Sequence, residues 1–243
     1  LFYSTRWYQD GVLRDRVMGD VVPADRTSAG EYWIVELWAT DGLLDSPVAE
    51  ATVYVFNTAP VASVLLQPAR PDTRDDLVAR VQVSDLDEHE VEIGFTWSVD
   101  GEPTTIEGDT VAGSQTDKGQ LWSVEALPYD GDSWGEVATA EATIDNSPPS
   151  TPVVVFVPER PQVGVVDLQC ALQEPVSDPD DDELSYRVAL SVDGASFEGT
   201  IDTELPGDTV PASSTARGQR WECRVWADDG ETEGRAGRTS IRL

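Results

Sequence analysis

The stretch GDTVAGSQTDKGQLWSVEALPYDG, from Gly108 to Gly131, decides the fold because the chain contains it in three copies. The other two read GDVVPADRTSAGEYWIVELWATDG, from Gly19 to Gly42, and GDTVPASSTARGQRWECRVWADDG, from Gly207 to Gly230. All three share G-D-x-V, then T-x-x-G-x-x-W, then a run that ends in Asp-Gly. Successive copies lie about 90 to 100 residues apart, which suits an autonomous all-β domain.

The run that follows each motif alternates between apolar and polar residues. Trp33, Val35 and Leu37 share one face, and the runs that begin at Trp122 and Trp221 repeat the pattern. A period of two predicts half-buried β-strands with the three tryptophans in the core. Turn signals recur throughout and no helical periodicity is sustained, so the sequence predicts an all-β protein made of antiparallel sandwiches.

The repeats predict three units, residues 1–57, 58–146 and 147–243. Two linkers separate them, NTAP from Asn57 to Pro60 and NSPP from Asn146 to Pro149, because proline cannot continue a central strand. The first unit starts at the third strand of the other copies and so lacks its first two strands. Either the sequence is a piece of a longer repeat protein, which we favour, or a neighbouring subunit supplies those strands.

The chain resembles tandem bacterial surface domains of the immunoglobulin-like, PKD-like and cadherin-like type. The T-x-x-G-x-x-W stretch followed by Asp-Gly and the N-x-x-P linkers carry this resemblance over most of the chain. The resemblance implies tandem immunoglobulin-like antiparallel β-sandwiches. It also implies a role as a stalk, an adhesin or a filament subunit, with other copies of the chain or a cell-surface protein or glycan as partners.

The two cysteines fit this resemblance. Cys170 falls on the second predicted strand of the third unit and Cys223 on its penultimate strand, the positions that an immunoglobulin-like sandwich bridges between sheets. The matching positions in the second unit are Ala79 and Val124. A disulfide would indicate an oxidising location, extracellular or at the cell surface; two buried free thiols are the alternative.

The formal net charge of −30, with Lys118 as the single lysine, excludes a general affinity for nucleic acid or anionic membranes, because phosphates would be repelled. It favours divalent cations, basic partners or a saline medium that screens the charge. No apolar run approaches the ~18 residues of a membrane span, so direct membrane insertion is not expected.

Two acidic loops are predicted to lie at the domain junctions, because the loop before the third strand, the loop before the last strand and the linker meet at one end of such a sandwich. Clustered oxygen ligands predict Ca²⁺ there, and a solvated acidic turn is the alternative. The candidate ligands are Asn57, Asp85, Asp87, Glu88, Asp130 and Asp132 at the first junction and Asn146, Asp178, Asp180, Asp182, Asp228 and Asp229 at the second. A single histidine and two cysteines disfavour zinc.

Catalysis has little support in the sequence. His89 is the only histidine and lies in an acidic loop, which favours a solvated residue over a general base, and no Ser-His-Asp arrangement is available without it. We therefore expect a non-enzymatic structural protein. The alternative is a carbohydrate-binding accessory module of a secreted enzyme, with Trp38, Trp134 and Trp226 as the aromatic contacts.

Overall fold

The structure is a computed structural model that describes residues 2–17 and 19–243. Within these residues the regular structure consists of β-strands and three single turns of 3-10 helix, and every pairing between two strands is antiparallel. The predicted all-β fold class is confirmed. No helix in the described part of the chain is both long enough and apolar enough to cross a membrane.

The first unit is a single sheet. Its strands are β1 (Phe2–Gln9), β2 (Val12–Leu13), β3 (Tyr32–Thr40) and β4 (Ala49–Tyr54). They lie in the order β2-β1-β3-β4, and a helical turn over Ala24–Arg26 precedes β3.

The second unit is a sandwich of two sheets. One contains β5 (Val61–Gln67), β6 (Leu77–Ser84) and β9 (Thr110–Val111); the other contains β7 (Glu92–Val99), β8 (Glu102–Pro103), β10 (Leu121–Tyr129) and β11 (Ala138–Thr143). Their orders are β5-β6-β9 and β11-β10-β7-β8. Strand β5 packs across the core against β11 and β10, and a helical turn over Gly113–Gln115 precedes β10.

The third unit repeats this architecture. One sheet contains β12 (Val154–Val157), β13 (Leu168–Leu172) and β16 (Thr209–Val210); the other contains β14 (Ser185–Val192), β15 (Ala195–Ser196), β17 (Arg220–Asp228) and β18 (Gly237–Arg242). Their orders are β12-β13-β16 and β15-β14-β17-β18. Strand β12 packs against β18 and β17, and a helical turn over Ala212–Ser214 precedes β17.

The shared motif fixes the entry into the long central strand of each unit. In the second unit the amide oxygen of Gln120 accepts both the indole N–H of Trp122 at 3.0 Å and the backbone N–H of Asp117 at 2.9 Å. Gln219 does the same for Trp221 in the third unit, and Glu31 for Trp33 in the first. Glycine precedes this residue because the backbone there has a positive φ, 84° at Gly119.

The three motif tryptophans are confirmed as core residues, with exposed fractions of 3% for Trp33, 3% for Trp122 and 0% for Trp221. The disulfide is present as well and joins Cys170 on β13 to Cys223 on β17, with both residues buried. It therefore links the two sheets of the third unit.

Part of the inner face of the first sheet is left uncovered by the described residues, although Trp33 on that face is buried. Leu37 is 39% exposed, whereas Ala126 at the matching position of the second unit is 0% exposed. Val53 is 57% exposed against 9% for Ala142. The described residues of this unit provide no strand matching β9 either, because β9 forms by pairing with β6, and β6 has no counterpart here.

Candidate cation sites at the two domain junctions

Both junctions are built from the same three segments: the linker, the loop before the third strand of the following unit and the loop before its last strand. At the second junction the amide N–H of Asn146 donates to Asp229 Oδ2 at 2.8 Å. At the first, Asn57 donates to Asp130 Oδ2 at 2.8 Å. Each linker asparagine is therefore tied to the Asp-Gly turn that closes the repeat motif.

A second hydrogen bond also recurs at both junctions. The backbone N–H of Thr58 donates to Asp87 Oδ2 at 2.6 Å, and the backbone N–H of Ser147 donates to Asp180 Oδ2 at 2.6 Å. These bonds fix the residue after each asparagine to the acidic loop. Asp87 and Asp180 thus hold the linker, as well as being candidate ligands.

The turn aspartates are held in their ionised form. Asp130 Oδ1 accepts the backbone N–H groups of Asp132 and Ser133, and the hydrogen bond from Asn57, followed by these, lowers the pKa of Asp130. Burial alone would raise the pKa of Asp229, but hydrogen bonds from Asn146 and the turn backbone outweigh it and lower that pKa too. Both carboxylates are available as anionic ligands.

In the first aspartate of each acidic loop, one carboxylate oxygen accepts hydrogen bonds and the other has no hydrogen-bond partner among the described residues. Asp85 Oδ1 accepts the backbone N–H groups of Asp87 and His89, and Asp178 Oδ1 accepts those of Asp180 and Asp182. The other oxygen, Oδ2, is buried in each case and has no hydrogen-bond partner among the described residues. A buried carboxylate oxygen of this kind calls for a positive partner.

Lys118 supplies positive charge at the second junction. It lies in the turn before β10, and its Nζ donates to Asp182 Oδ2 at 2.5 Å, Glu231 Oε1 at 3.0 Å and Asn146 Oδ1 at 3.1 Å. The hydrogen bond to Asp182, then that to Glu231, raises the pKa of Lys118 above its ordinary value. The only lysine of the chain thus joins the second unit, the linker and the third unit.

Among the residues that the structure describes, the candidate ligands of the first junction have no such cation as a hydrogen-bond or ion-pair partner. Its position equivalent to Lys118 in the repeat is Ala29. The atoms that would match those held by Lys118, Asn57 Oδ1 and His89 Nδ1, are buried and have no hydrogen-bond partner among residues 2–17 and 19–243. The two junctions therefore share a scaffold and differ in their source of positive charge.

Thr73, in the loop between β5 and β6, adds a contact at the second junction. Its hydroxyl lies 2.7 Å from Asp180 Oδ1 and 2.7 Å from Ser147 Oγ. The described residues of the first unit form no loop of this type, so they make no corresponding contact at the first junction.

Two groups of side chains place potential ligand atoms within 4.8 Å of one another: Asp178, Asp180 and Asp182 at the second junction and Asp85, His89 and Asp130 at the first. At the first junction, Asn57 is hydrogen-bonded directly to Asp130 of the group. At the second, Asn146 is connected to Asp182 only through Lys118 Nζ, and Asp229 is hydrogen-bonded to Asn146. Asp87, Glu88, Asp132 and Asp228 contribute no atom to either group. Glu88 and Asp132 are exposed, and Asp228 accepts the backbone N–H of Gly230 in its own turn.

Sequence reasoning did not assign His89 or Lys118 to these sites. His89 occupies the same place in SDLDEHE as Asp182 in SDPDDDE, so the alignment of the two loops carried a signal for it. Lys118 could have been suspected as the single lysine of a very acidic chain, but its three contacts depend on the arrangement of the two units.

The candidate sugar-stacking tryptophans are only partly accessible. The guanidinium of Arg187 lies 3.7 Å from the ring centroid of Trp226 and is itself paired with Glu233, while Arg6 lies 5.1 Å from the ring centroid of Trp38. Trp134 is 60% exposed and stacks on Tyr129 with the ring centroids 4.3 Å apart. Of the three candidates, Trp134 offers the most open ring.

The strand order defines the two complete units as immunoglobulin-like β-sandwiches in tandem. No protein-family model and no curated protein sequence matches the chain. Among solved structures, the chain is similar to a multidomain segment of titin at 11% identity, with 99% of this chain and 89% of that one covered and a TM-score of 0.43.

Two further solved structures show similarity of the same order. A segment of two fibronectin type III domains from chicken tenascin matches at 12% identity over 74% of this chain and 98% of that one, with a TM-score of 0.36. Three N-terminal domains of the highly immunogenic outer capsid protein of bacteriophage RB49 match at 13% identity over 99% and 86%, with a TM-score of 0.31.

Proposed function

We propose that the chain is a non-enzymatic structural or adhesive repeat protein of the cell exterior, in which tandem sandwiches act as spacers with stiffened junctions. The observation that carries this proposal is the repeated pair of linker bonds, from Asn57 and Thr58 at the first junction and from Asn146 and Ser147 at the second. A linker bonded to both neighbouring loops loses the freedom that lets domains reorient. The disulfide in the third unit supports the location outside the reducing cytosol.

Small-angle X-ray scattering of the full chain tests this proposal. The variants Asn57→Ala and Asn146→Ala remove the side chains that tie the linkers to the turns, so they should give broader distributions of dimensions than the original chain. Gln173→Ala is the matched control, because Gln173 is an exposed side chain outside the junction bonds. Unchanged scattering in both asparagine variants would contradict the proposal.

Calcium belongs to this proposal at the second junction, where the candidate ligands are all oxygens. Asp178, Asp180 and Asp182 converge, and Asp178 Oδ2 is buried without a partner among the described residues. Lys118 Nζ already binds Asp182, so Ca²⁺ has to compete with the ammonium for this carboxylate. We therefore expect weak binding that strengthens when the lysine is removed.

Thermal melts at low ionic strength, with Ca²⁺ and with a chelator, test this role. Calcium should raise the melting temperature modestly for the original chain and more for Lys118→Met. Asp178→Asn should lose the response, since it removes charge from the oxygen without a hydrogen-bond partner among the described residues. If calcium changes the melting temperature of neither the original chain nor Lys118→Met, the site is excluded.

The open face of the first sheet is the surface that we propose for contact with another copy of the chain. Exposed Leu37 and Val53 support this role, because an apolar sheet face of this kind is stabilised when strands from a partner cover it. Sedimentation of the full chain over a range of concentrations should show association that Val53→Asp weakens. A monomer at every concentration would rule out this contact.

A further inference from the structure

The first junction contains three buried side-chain atoms without partners among the described residues: Asn57 Oδ1, Asp85 Oδ2 and His89 Nδ1. Asn57 comes from the linker, and the other two come from the loop between β6 and β7. Buried polar atoms are nearly always hydrogen-bonded, and exceptions mark a bound ion or water, or a functional group. Asp85 and His89 belong to the convergent group with Asp130, and the side chain of Asn57 is hydrogen-bonded to Asp130.

The second junction indicates what those atoms are arranged to bind. There, Asn146 Oδ1 and Asp182 Oδ2 occupy the positions of Asn57 Oδ1 and the His89 ring, and both accept hydrogen bonds from Lys118 Nζ. Ala29 replaces this lysine at the first junction, and the corresponding acceptors have no hydrogen-bond donor in the described part of the chain. An external cation would satisfy them in the same way.

We propose that the first junction is a binding site for a divalent transition-metal ion such as Zn²⁺, held by His89, Asp85 and Asp130 with the amide oxygen of Asn57 beside them. The stiffening of the junction by this ion rests on the proposed function, whereas the binding of the ion does not. It concerns a site whose ligand chemistry differs from that of the calcium candidate at the second junction.

The donor set selects the type of ion. Ca²⁺ takes six to eight oxygen ligands, whereas imidazole nitrogen combined with carboxylate oxygen suits Zn²⁺ and its transition-metal neighbours. The carboxylates of Asp85 and Asp130 together balance the two positive charges of the ion. Ligand atoms around a bound Zn²⁺ lie about 3–4 Å apart, close to the span within which these three side chains converge.

Isothermal titration of the full chain, without a polyhistidine tag, with Zn²⁺ and separately with Ca²⁺ tests the proposal. We expect a tight Zn²⁺ site at a ratio of one ion per chain that His89→Ala weakens by about tenfold or more. Ala29→Lys should weaken it similarly, because it places an ammonium where Lys118 lies in the next repeat. Lys118→Ala is the matched control at the other junction and should leave this site unchanged.

Co²⁺ provides a second readout that does not depend on heat signals, because its visible absorption spectrum changes when imidazole enters the coordination shell. We expect this spectral change when Co²⁺ is added to the original chain and not when it is added to His89→Ala. Circular dichroism should verify that the variant is folded. Absence of Zn²⁺ binding, binding indifferent to His89→Ala, or tighter binding of Ca²⁺ than Zn²⁺ at this junction would each overturn the inference. The scattering result for Asn146→Ala would stand in any of these cases, so failure here is distinguishable from failure of the proposed function.

Discussion

Lys118 Nζ lies 2.5 Å from Asp182 Oδ2, so an ion pair connects the turn before β10 in the second unit to the loop before β14 in the third. The Lys118 side chain is 27% exposed, and its ammonium also contacts Glu231 and Asn146. A cation with several partners at a linker can limit both the distance and the orientation between two domains. This contact occurs at a position of the repeat that differs in every copy: alanine, lysine and arginine at 29, 118 and 217.

We predict that Lys118→Met modestly destabilises the packing of the third unit against the second, because the ion pairs that it removes are partly exposed to solvent. The substitution also leaves Asp182 Oδ2 and Asn146 Oδ1 without the hydrogen bonds that they accept from Lys118 Nζ, which adds to the loss of stability. Chemical denaturation in low salt should reveal the difference, and high salt should reduce it.

Arg217→Met is the control for this prediction, since Arg217 occupies the same repeat position and is exposed in the third unit. Equal effects of the two substitutions would show that the loss at Lys118 does not come from the junction.

Removal of the disulfide should destabilise the third unit selectively. The bridge closes a loop with a sequence separation of 53, for which loop entropy contributes about 4 kcal/mol to the stability of the folded state. The double variant Cys170→Ala and Cys223→Val reproduces the pair Ala79 and Val124 of the second unit.

Calorimetry of the original chain and of the double variant is the measurement for this prediction. The transition of the third unit should move to lower temperature and that of the second unit should stay in place. A common shift of both transitions would mean that the bridge does not act locally.

Asp208, the aspartate of the third G-D-x-V, should make the third unit sensitive to acid. Its side chain is buried and accepts the backbone N–H groups of Thr203, Glu204 and Leu205. Burial raises the pKa of Asp208, but these bonds and those from neighbouring side chains outweigh it and lower the pKa below its ordinary value.

Because the folded pKa of Asp208 is the lower one, its stabilising contribution is complete above the ordinary aspartate pKa, near 4, and disappears as the pH falls through the folded value. Asp208→Asn should therefore cost roughly 1–3 kcal/mol at neutral pH and remove part of the acid sensitivity. Asp109→Asn is the matched control, since Asp109 is exposed at the same motif position. Urea titrations over a series of pH values measure the unfolding free energy of both variants. Equal losses of stability in Asp208→Asn and Asp109→Asn would contradict this account.

The arginine-covered tryptophans should act in stability and not in sugar binding. Trp226→Ala removes the ring under Arg187 and is predicted to cost about 1 kcal/mol in unfolding free energy. If the chain binds any glycan, Trp134→Ala should weaken that binding and Trp226→Ala should not, because Trp134 is the more exposed ring. A glycan array with both variants tests this, and loss of binding in Trp226→Ala would contradict the purely stabilising role of Trp226.

Much of the fold could be predicted from sequence because its signals are local and repeated. The phase of Trp33, Trp122 and Trp221 within alternating runs placed them in the core, and the alignment of Cys170 and Cys223 with an apolar pair of the second unit located the bridge. The placement of the acidic loops beside the linkers followed from the same alignment. The tryptophans, the disulfide and the acidic loops could each be placed because aligned repeats assign equivalent residues to equivalent strands and loops.

The details of the sites could not be predicted in the same way, because they depend on backbone angles and contacts between units. Glu88 has a φ of +60° and is exposed, so its side chain is not part of the convergent group despite its position among other acids. His89, its neighbour, belongs to that group instead. The pairing of Lys118 with the third unit depends on how two units are placed relative to each other. A residue pattern within one repeat carries no information about that placement.

The bridge between Cys170 and Cys223 has a mechanical consequence if the chain is pulled from its ends. Force passes through the sulfur atoms and bypasses the residues between them, so the third unit cannot release that segment even when its strands separate. The bypass covers a sequence separation of 53 and withholds about 180 Å of extended chain, at ~3.4 Å per residue. The second unit, with Ala79 and Val124 at these positions, can unravel over its whole length, so neighbouring repeats would lengthen by different amounts under the same load.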